Sequence, residues 1–596
     1  MLTVYALHLA FIAWRLPLDY WDGYDYLTNA RLLAGHDVAR FGCGYWNYRP
    51  PLVPLLDAVV LKGYAPGGGG TALSGPHLVA ACLSVFSIVA LYWLVRQAFP
   101  PNEAILGGAL LAANPLFIHY APFALTDIPT MLFLTVTAAA YLRARRRGGW
   151  FAHALAAASL AAAMLAKYSA AAMLGGLAVF EVLRVLFPGH AAEGPAPGIR
   201  RRIWRLLKDV RPWLVLAAAL AIFYLVQAAA DARAMPGVNT FTHTLGVFGQ
   251  SVGTPPLSSA TDVWYEFVPE LTTAFTLPLM VVAVVGMLVG ALRRTEVDLL
   301  CLAWFGVVFG ALTVLIGHKE ARYAFPILPP LIYFMVSGVR ELWRALVRGA
   351  RSLIGERARF RRVPELVAAV VLLAFVPKPA AQAGSELLRF YDPVYTRPFL
   401  PEVASWVLAR TAPGQRVLAS RYFAYNMYAA NPFFSPYEEF MHFHGIGRCA
   451  LTYLLDRPVE EIDPLPPVEG DRLEPLVERF ATSEVVLTGS KALVGPSPEP
   501  PEPMTLTFIE RRTLRRVDGG TPDGATYQAV NDPEHRLVLV HKGGGWEVGE
   551  GWPGADWRLY QRKAEGGAAE PFGEVASEPP PVLELVKVDQ IQRTFR

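Results

Sequence analysis

Three carboxylates stand where a mostly apolar chain would be expected to avoid them. Asp22 and Asp25 lie in Leu18-Asp19-Tyr20-Trp21-Asp22-Gly23-Tyr24-Asp25-Tyr26-Leu27, just after a brief apolar segment from Leu2 to Trp14. Asp127 lies in Ala124-Leu125-Thr126-Asp127-Ile128-Pro129, at the edge of another apolar run. Acids beside a membrane segment are costly to desolvate, so they mark a water-filled cavity or a reacting centre. If the first stretch turns helical at Asp22, Asp22 and Asp25 fall three apart on one face with Tyr26 beside them. Such a carboxylate can take the proton of a hydroxyl, and partial burial raises its pKa toward the range a general base needs. Plainer roles stand beside that one. Asp22 could cap a loop or pair with Arg31 or Arg49, Asp25 could only hydrogen-bond, and Asp127 is well placed to cap a helix carrying Pro129 in its first turn.

Cations occur at two further places. Lys167 and Tyr168 sit at the tip of an apolar hairpin, and His318-Lys319-Glu320-Ala321-Arg322-Tyr323 follows a later apolar run. Helical spacing would set His318 and Arg322 four apart and Lys319 and Arg322 three apart. Arginine suits bidentate phosphate contact and lysine acts as a point charge, so both could meet a leaving phosphate. The bland alternatives are head-group anchoring for the His318 cluster and snorkelling for Lys167. Glu320 is expected to pair with a neighbouring cation. His243 and Glu266 could serve an acceptor, although single polar loop residues are usually just solvated. Tyr45, Trp46, Tyr48, Trp264 and Tyr265 could stack on sugars, but such residues more often form an interfacial aromatic belt.

The elements that must position these residues are membrane helices. The chain has 596 residues, of which only 17% are charged, where a soluble protein carries about a quarter. Its mean hydropathy is positive, +0.32. No basic stripe with interleaved aromatics points to nucleic acid. The four cysteines, Cys43, Cys82, Cys301 and Cys449, lack paired metal-ligand spacing. Cys43 and Cys449 fall on the same expected side, which a disulfide would require. The N-terminus has neither a basic n-region nor a small-residue cleavage site, so no removed signal peptide is expected. Its first apolar run is shorter than the ~20 residues a span needs.

Hydropathy with loop charge gives about eleven spans. A long outer loop, 16–75, follows the first and holds a short interfacial helix after Pro50-Pro51. Spans are expected at His77–Val95, Ala104–His119, Ile128–Leu142, Phe151–Leu165, Ser169–Phe187 and Trp213–Ala230. After an outer loop, Asp231–Thr273, come a span ending at Arg293, one over Leu299–Ile316, one more, and a short last one at Val367–Val376. Loops holding Arg143, Arg145–Arg147, Arg200–Arg202, Arg205, Lys208, Arg293, Arg294 and Arg340–Arg362 all fall on one side, which marks it as cytoplasmic. Asp22, Asp25, Asp127, Lys167 and the His318 cluster then share the opposite side.

From about Pro377 the composition becomes that of a soluble domain. Short apolar runs at Arg416–Ala419, Glu484–Leu487, Arg536–Val540 and Trp557–Tyr560 read as strands, with a helical pattern at Pro401–Arg410. Pro496–Pro503 and Pro579–Pro581 read as extended loops. The expected organisation is a polytopic membrane domain, 1–376, and a soluble extracytoplasmic α/β domain, 377–596.

This layout resembles the GT-C superfamily of membrane glycosyltransferases. More narrowly it is similar to the bacterial branch of protein O-mannosyltransferases (the dolichyl-phosphate-mannose-protein mannosyltransferase type) and aminoarabinose transferases. The resemblance rests on Asp22-Gly23-Tyr24-Asp25-Tyr26, Leu125-Thr126-Asp127-Ile128-Pro129, Lys167-Tyr168 and His318-Lys319-Glu320-Ala321-Arg322-Tyr323-Ala324-Phe325-Pro326, over roughly residues 1–376. Relatives carry Asp-Glu where this chain has Asp22-Gly23, with Asp25 as the substitute acid, which leaves both the base and metal binding open.

The resemblance implies a membrane all-α, GT-C-type bundle in the bacterial plasma membrane. Its activity would be inverting transfer of mannose or another hexose or pentose from a polyprenyl phosphate to a protein, lipid or glycan of the cell envelope. Asp22, Asp25 and Asp127 would be the catalytic acids; Lys167, His318, Lys319 and Arg322 would bind the donor phosphate. Membrane lipids are further partners. No cofactor is certain; a divalent cation, Mg or Mn, would sit on Asp22 and Asp127 if one is used. The rival class is a multi-span transporter or lipid flippase.

Overall fold

The fold was analysed in a computed structural model. It describes residues 2–16, 21–35, 50–62, 71–187, 199–234, 237–253, 267–315, 321–354 and 377–391, isolated positions near 365, and short segments beyond 400. Val367–Val376, Tyr45–Tyr48, Trp264–Glu266, Cys43 and Cys449 lie outside the described residues.

The chain divides into two units, and the first, which runs to Asp392, is helical. Its helices are α1 (Leu2–Arg15), α2 (Trp21–Ala34), α3 (Leu52–Leu61), α4 (Thr71–Val95), α5 (Pro101–Ala112), α6 (Pro115–Tyr120), α7 (Asp127–Arg147), α8 (Trp150–Ala166), α9 (Ala172–Leu186), α10 (Ile199–Lys208), α11 (Val210–Ala234), α12 (Thr240–Gly253), α13 (Phe267–Arg293), α14 (Glu296–Leu315), α15 (Leu328–Ile354) and α16 (Pro377–Arg389). Two 3-10 turns, Tyr168–Ala171 and Ala321–Ile327, precede α9 and α15. Among the described residues, five segments are long and apolar enough to cross a bilayer: Leu73–Val95, Tyr168–Leu186, Val210–Ala234, Phe275–Arg293 and Glu296–Val314.

Several expectations need correction. Ala104–His119 is not one span: α5 stops at Ala112, and Asn114 starts α6 by accepting the Phe117 N–H at 2.9 Å. Pro115 sits at the first position of the new helix, where its missing N–H costs nothing, whereas inside a continuous helix it would break the ladder. The outer loop 231–273 holds α12, opened by the Asn239 side chain, which accepts from the N–H groups of Phe241 and Thr242. The basic stretch after α9 is likewise a helix, α10, rather than a loop.

Packing in the first unit centres on α7, which lies against α4 and α8; α8 meets α11, α14 meets α9, and α2 meets α3. At the C-terminal end of α7 the arginines are tied to acids of neighbouring elements. Arg145 binds Glu181 at 3.1 Å and Asp209 at 2.6 Å, and Arg146 and Arg184 both reach Glu296. Tyr141 donates to Glu181 at 2.7 Å. Burial works to raise the Asp209 carboxyl, but hydrogen bonds from Arg211 and Arg145 outweigh it and hold the group at about 2. That tie stabilises the fold above the ordinary carboxylate range and is lost only as pH falls through about 2. Nearby, Asp298 at the start of α14 is fully buried and takes Arg293 at 2.5 Å and the Tyr333 hydroxyl at 2.7 Å.

The second unit, from Pro393, holds all ten described strands. β1 (Val417–Ser420), β2 (Val459–Ile462), β3 (Val485–Ser490) and β4 (Thr505–Glu510) form one sheet, ordered β2-β1-β3-β4. Its β1 pairs are parallel and β3–β4 is antiparallel. β5 (Leu514–Arg516), β6 (Gly524–Ala529), β7 (Arg536–Lys542) and β8 (Gly545–Val548) form an antiparallel meander, and β9 (Arg558–Leu559) pairs with β10 (Leu583–Glu584).

One contact in the helical unit depends on having no side chain. A Cβ on Gly286 of α13 would collide with the Phe334 carbonyl of α15, and a Cβ on Gly338 of α15 would collide with the Val282 carbonyl of α13. Small residues let membrane helices meet backbone to backbone. Gly286→Val and Gly338→Val are each expected to cost about 1–3 kcal/mol through overpacking. The thermal midpoint in detergent should fall for both; an unchanged midpoint would contradict this close approach.

Candidate functional site

The site assembles where helices stop. α8 ends at Lys167, whose backbone is extended, with φ −153° and ψ 124°. α7 begins at Asp127, but Asp127 is not the N-cap that its position before Ile128-Pro129 suggests. Thr126 holds the cap position in a helical conformation and makes no side-chain capping bond. The Asp127 carboxylate, 1% exposed, instead accepts from Lys167 Nζ at 2.6 Å. So the second acid and the first cation, expected to act separately, form one ion pair. A buried carboxylate needs such a partner, because the isolated charge would lose its hydration uncompensated.

Lys167 also brings in the last motif. Its Nζ lies 4.0 Å from the centroid of the Tyr323 ring, and the Arg322 guanidinium carbon lies 5.6 Å from the same ring. Arg322 is buried and sits in the 3-10 turn between α14 and α15. Pro326 within that turn helps explain why α14 does not simply run on into α15, since a helix interior tolerates proline poorly. His318 and Lys319 lie outside the described residues, so of this cluster only Arg322 is placed.

The first motif reaches the same region through α2. That helix begins at Trp21, as the spacing of the acids requires, and places Asp22 and Asp25 three apart. Asp25 is buried; the Asp22 side chain lies outside the described residues. The Tyr26 hydroxyl lies 3.3 Å from Thr126 Oγ1, joining α2 to the residue before Asp127.

A polar chain extends from Tyr168, the residue after Lys167. The Tyr168 hydroxyl donates to Gln227 Oε1 at 3.2 Å, and Gln227 Nε2 donates to Asp231 Oδ1 at 2.8 Å. His243 Nδ1 lies 3.2 Å from Asp231 Oδ2, a bond in which the imidazole donates to the carboxylate. Gln227 and Asp231 are four apart on α11 and both buried, and His243 reaches them from α12. The sequence reading passed over Asp231 because it was taken as the first residue of a solvated loop. The available signal was Gln227, one helical turn earlier inside an apolar span, where a lone amide needs a partner.

The arrangement combines two kinds of group. Carboxylates on α2 and α7 can hold or take a proton, while Lys167 and Arg322 beside one aromatic ring can hold an anion. Among the described residues no group of three or more His, Cys, Asp or Glu could hold a metal ion. A divalent cation at Asp127 would compete with the Lys167 ammonium for the same oxygen.

The family described as dolichyl-phosphate-mannose-protein mannosyltransferase matches residues 67–188, which contain Asp127 and Lys167. Among solved structures, ArnT from Cupriavidus metallidurans bound to undecaprenyl phosphate is similar. The TM-score is 0.53 at 15% identity, over 82% of this chain and 92% of that one. The archaeal oligosaccharyltransferase AglB from Archaeoglobus fulgidus, in complex with an inhibitory peptide and a dolichol-phosphate, is similar over 82% of this chain and 69% of its own. There the TM-score is 0.50 and the identity 14%. No curated protein sequence matches the chain. The chain shares the fold of ArnT and AglB, and its apolar helices make it an integral membrane protein.

The ion pair yields a direct test. Lys167→Met would leave Asp127 buried and uncompensated, an expected loss of about 3–5 kcal/mol. Adding Asp127→Asn should return most of that stability. Thermal melts of the single and double variants decide it: a single variant as stable as the parent would mean the pair bears no structural role.

Proposed function

We propose that this chain is an inverting glycosyltransferase that moves a sugar, mannose or another hexose or pentose, from a polyprenyl phosphate to a protein, lipid or glycan acceptor. The observation that carries the reading is the meeting of Lys167 and Arg322 at the Tyr323 ring beside Asp127. The similar ArnT structure is bound to undecaprenyl phosphate and the AglB structure to a dolichol-phosphate, and a phosphate leaving group calls for that kind of charge.

In this mechanism the acceptor hydroxyl oxygen attacks the anomeric carbon from the face opposite the phosphate. The new C–O bond forms as the bond to the phosphate oxygen breaks, and that oxygen leaves with the electron pair. The hydroxyl proton passes to a carboxylate of α2, Asp22 first and Asp25 as its one-turn neighbour. Arg322 and Lys167, with His318 and Lys319, hold the phosphate as its negative charge grows. Asp127 acts through Lys167, fixing the ammonium so that little reorganisation accompanies bond breaking. Because Lys167 already neutralises Asp127, transfer needs no divalent cation in this scheme.

The wider topology belongs to the same proposal. About eleven spans in a bacterial plasma membrane put the site on the extracytoplasmic face. The chain from Pro393 is then an α/β domain on that face, serving acceptor recognition. A transporter or flippase would concentrate polar groups near the bilayer midplane on broken helices of inverted repeats. Here they gather at helix termini, which favours surface chemistry over passage.

Purified protein would be assayed with radiolabelled polyprenyl-phosphate sugars and a membrane and protein extract as acceptor. Transfer is expected from one donor. Asp22→Asn should slow it by about 10²–10⁴-fold, as for loss of a general base, and Arg322→Ala by about 10²–10³-fold. Chelator should leave the rate unchanged. Transfer that persists in Asp22→Asn but stops in Asp25→Asn would move the base one turn along α2. No transfer from any donor, with lipid moving across vesicles instead, would sink the enzyme reading.

A further inference from the structure

Helix α10 carries the sequence Ile-Arg-Arg-Arg-Ile-Trp-Arg-Leu-Leu-Lys. At the helical 100° per residue, Ile203 and Leu207 fall on one side with Trp204 at its edge, and Arg201 and Lys208 fall on the other. Arg200, in the first turn, falls between Leu207 and Trp204 and can reach head groups by snorkelling. Ile203, Trp204 and Leu207 are 45%, 59% and 58% exposed, although a water-facing surface normally avoids three large neighbouring apolar side chains. Arg200, Arg201 and Lys208 are exposed as well. Asp209, the acid that follows, is taken by Arg145 and Arg211 and neutralises none of these three.

Two observations identify what covers this face. It runs on into the exposed Val210, Trp213 and Leu214 of α11, a helix apolar enough to cross a bilayer, so the surface is continuous with a lipid-facing one. The flanking charge is entirely positive, which complements lipid phosphates rather than an acyl chain or a neutral surface. We propose that α10 is an interfacial binding site for anionic phospholipid. Ile203, Trp204 and Leu207 seat among the acyl chains, and Arg200, Arg201 and Lys208 contact head-group phosphates. Lys208 Nζ, 5.1 Å from the Trp204 ring, spans the boundary between the two layers. The site is separate from the sugar-transfer chemistry. It reaches the bundle through Arg202, which donates to the Val185 carbonyl at the end of α9 at 2.7 Å, and through Asp209 on Arg145 of α7.

The test is hydrogen exchange of the full chain in nanodiscs of phosphatidylcholine alone or with phosphatidylglycerol. Phosphatidylglycerol is expected to slow exchange across 199–208 by roughly fivefold for each cation engaged, and added salt to reverse it. R200Q/R201Q/K208Q should lose this protection while α14 exchanges as in the parent, which shows that the variant is folded. Equal exchange in neutral and anionic discs overturns the proposal, as does protection that survives in the triple variant. Equal protection by inorganic polyphosphate in neutral discs would assign the surface to a soluble polyanion and also overturn it.

Discussion

The ion pair between Asp127 and Lys167 is the contact on which the rest of the site depends. Two costs meet there. A carboxylate with 1% exposure has lost nearly all of its hydration, and a lysine at the end of an apolar helix must put its charge somewhere. Joined at 2.6 Å they offset each other, and the lysine's position becomes fixed rather than free to snorkel toward water. Fixing it matters because the same ammonium sits against Tyr323, the neighbour of Arg322. The pair therefore converts a burial problem at the α7–α8 junction into a defined location for positive charge. Whether such a pair adds net stability over apolar replacements is doubtful on general grounds. Its retention is better explained by the placement it enforces.

Apart from α2, the segments that feed the site lie where helices are interrupted. The Asn114-Pro115 step divides α5 from α6, Lys167 adopts an extended backbone, and the turn holding Arg322 contains Pro326. Helix interiors satisfy their own backbone and present only side chains, whereas helix ends expose N–H and C=O groups that need partners. Polar side chains collect at such ends because they can bond there and because water or a head group is near. The stretch from Asn114 to Asp127 shows this. It carries His119, which pairs with Glu386 of α16 at 3.3 Å while both are buried, and Thr126, which meets Tyr26. A membrane protein that must hold charges beside apolar surface gains places to do so by breaking its helices.

Much of this was legible in the sequence, and the gaps have physical causes. Hydropathy located the apolar helices over His77–Val95, Ser169–Phe187, Trp213–Ala230 and Leu299–Ile316 to within a few residues, because burial in lipid leaves little freedom in composition. The acids on α2 were expected to share a helical face, and the backbone from Trp21 is helical. Lys167 and Asp127 were both singled out, yet their pairing was not foreseen, since it depends on the α7–α8 packing and not on spacing along the chain. The capping role given to Asp127 failed for the same reason: a nearby cation competes more strongly for a carboxylate than backbone N–H groups do. Asp231 falls outside the expected span because that span ends at Ala230, one residue short of the acid and four short of the helix's end, while Gln227 lies within the span as a lone amide whose partner spacing alone does not reveal. An error of a few residues is harmless for an apolar helix and decisive for a polar group at its tip.

The two ends of α7 treat charge differently, and that difference gives the molecule its direction. About 18 residues separate Asp127 from Arg145, roughly 27 Å at the helical rise, close to the thickness of a hydrocarbon core. At the Asp127 end, among the described residues, Asp127 and Arg322 are buried and Lys167 is half-buried, with Asp127 paired to Lys167 and both cations set against the Tyr323 ring. At the arginine end charges are many: Arg145, Arg146 and Arg184 are tied to Glu181, Asp209 or Glu296, Arg340 and Arg344 of α15 pair with Glu103 and Glu341, and Arg200, Arg201 and Lys208 lie exposed on α10. An excess of exposed arginine resists translocation, which is the basis for putting that end in the cytoplasm in the proposed topology. The opposite end is then free to carry only the charges that its chemistry requires. A buried carboxylate–lysine pair is compatible with that end because it is neutral overall and presents no net charge to be moved across. Under the proposed activity and topology, orientation and catalysis make demands on opposite termini of one helix, and neither compromises the other.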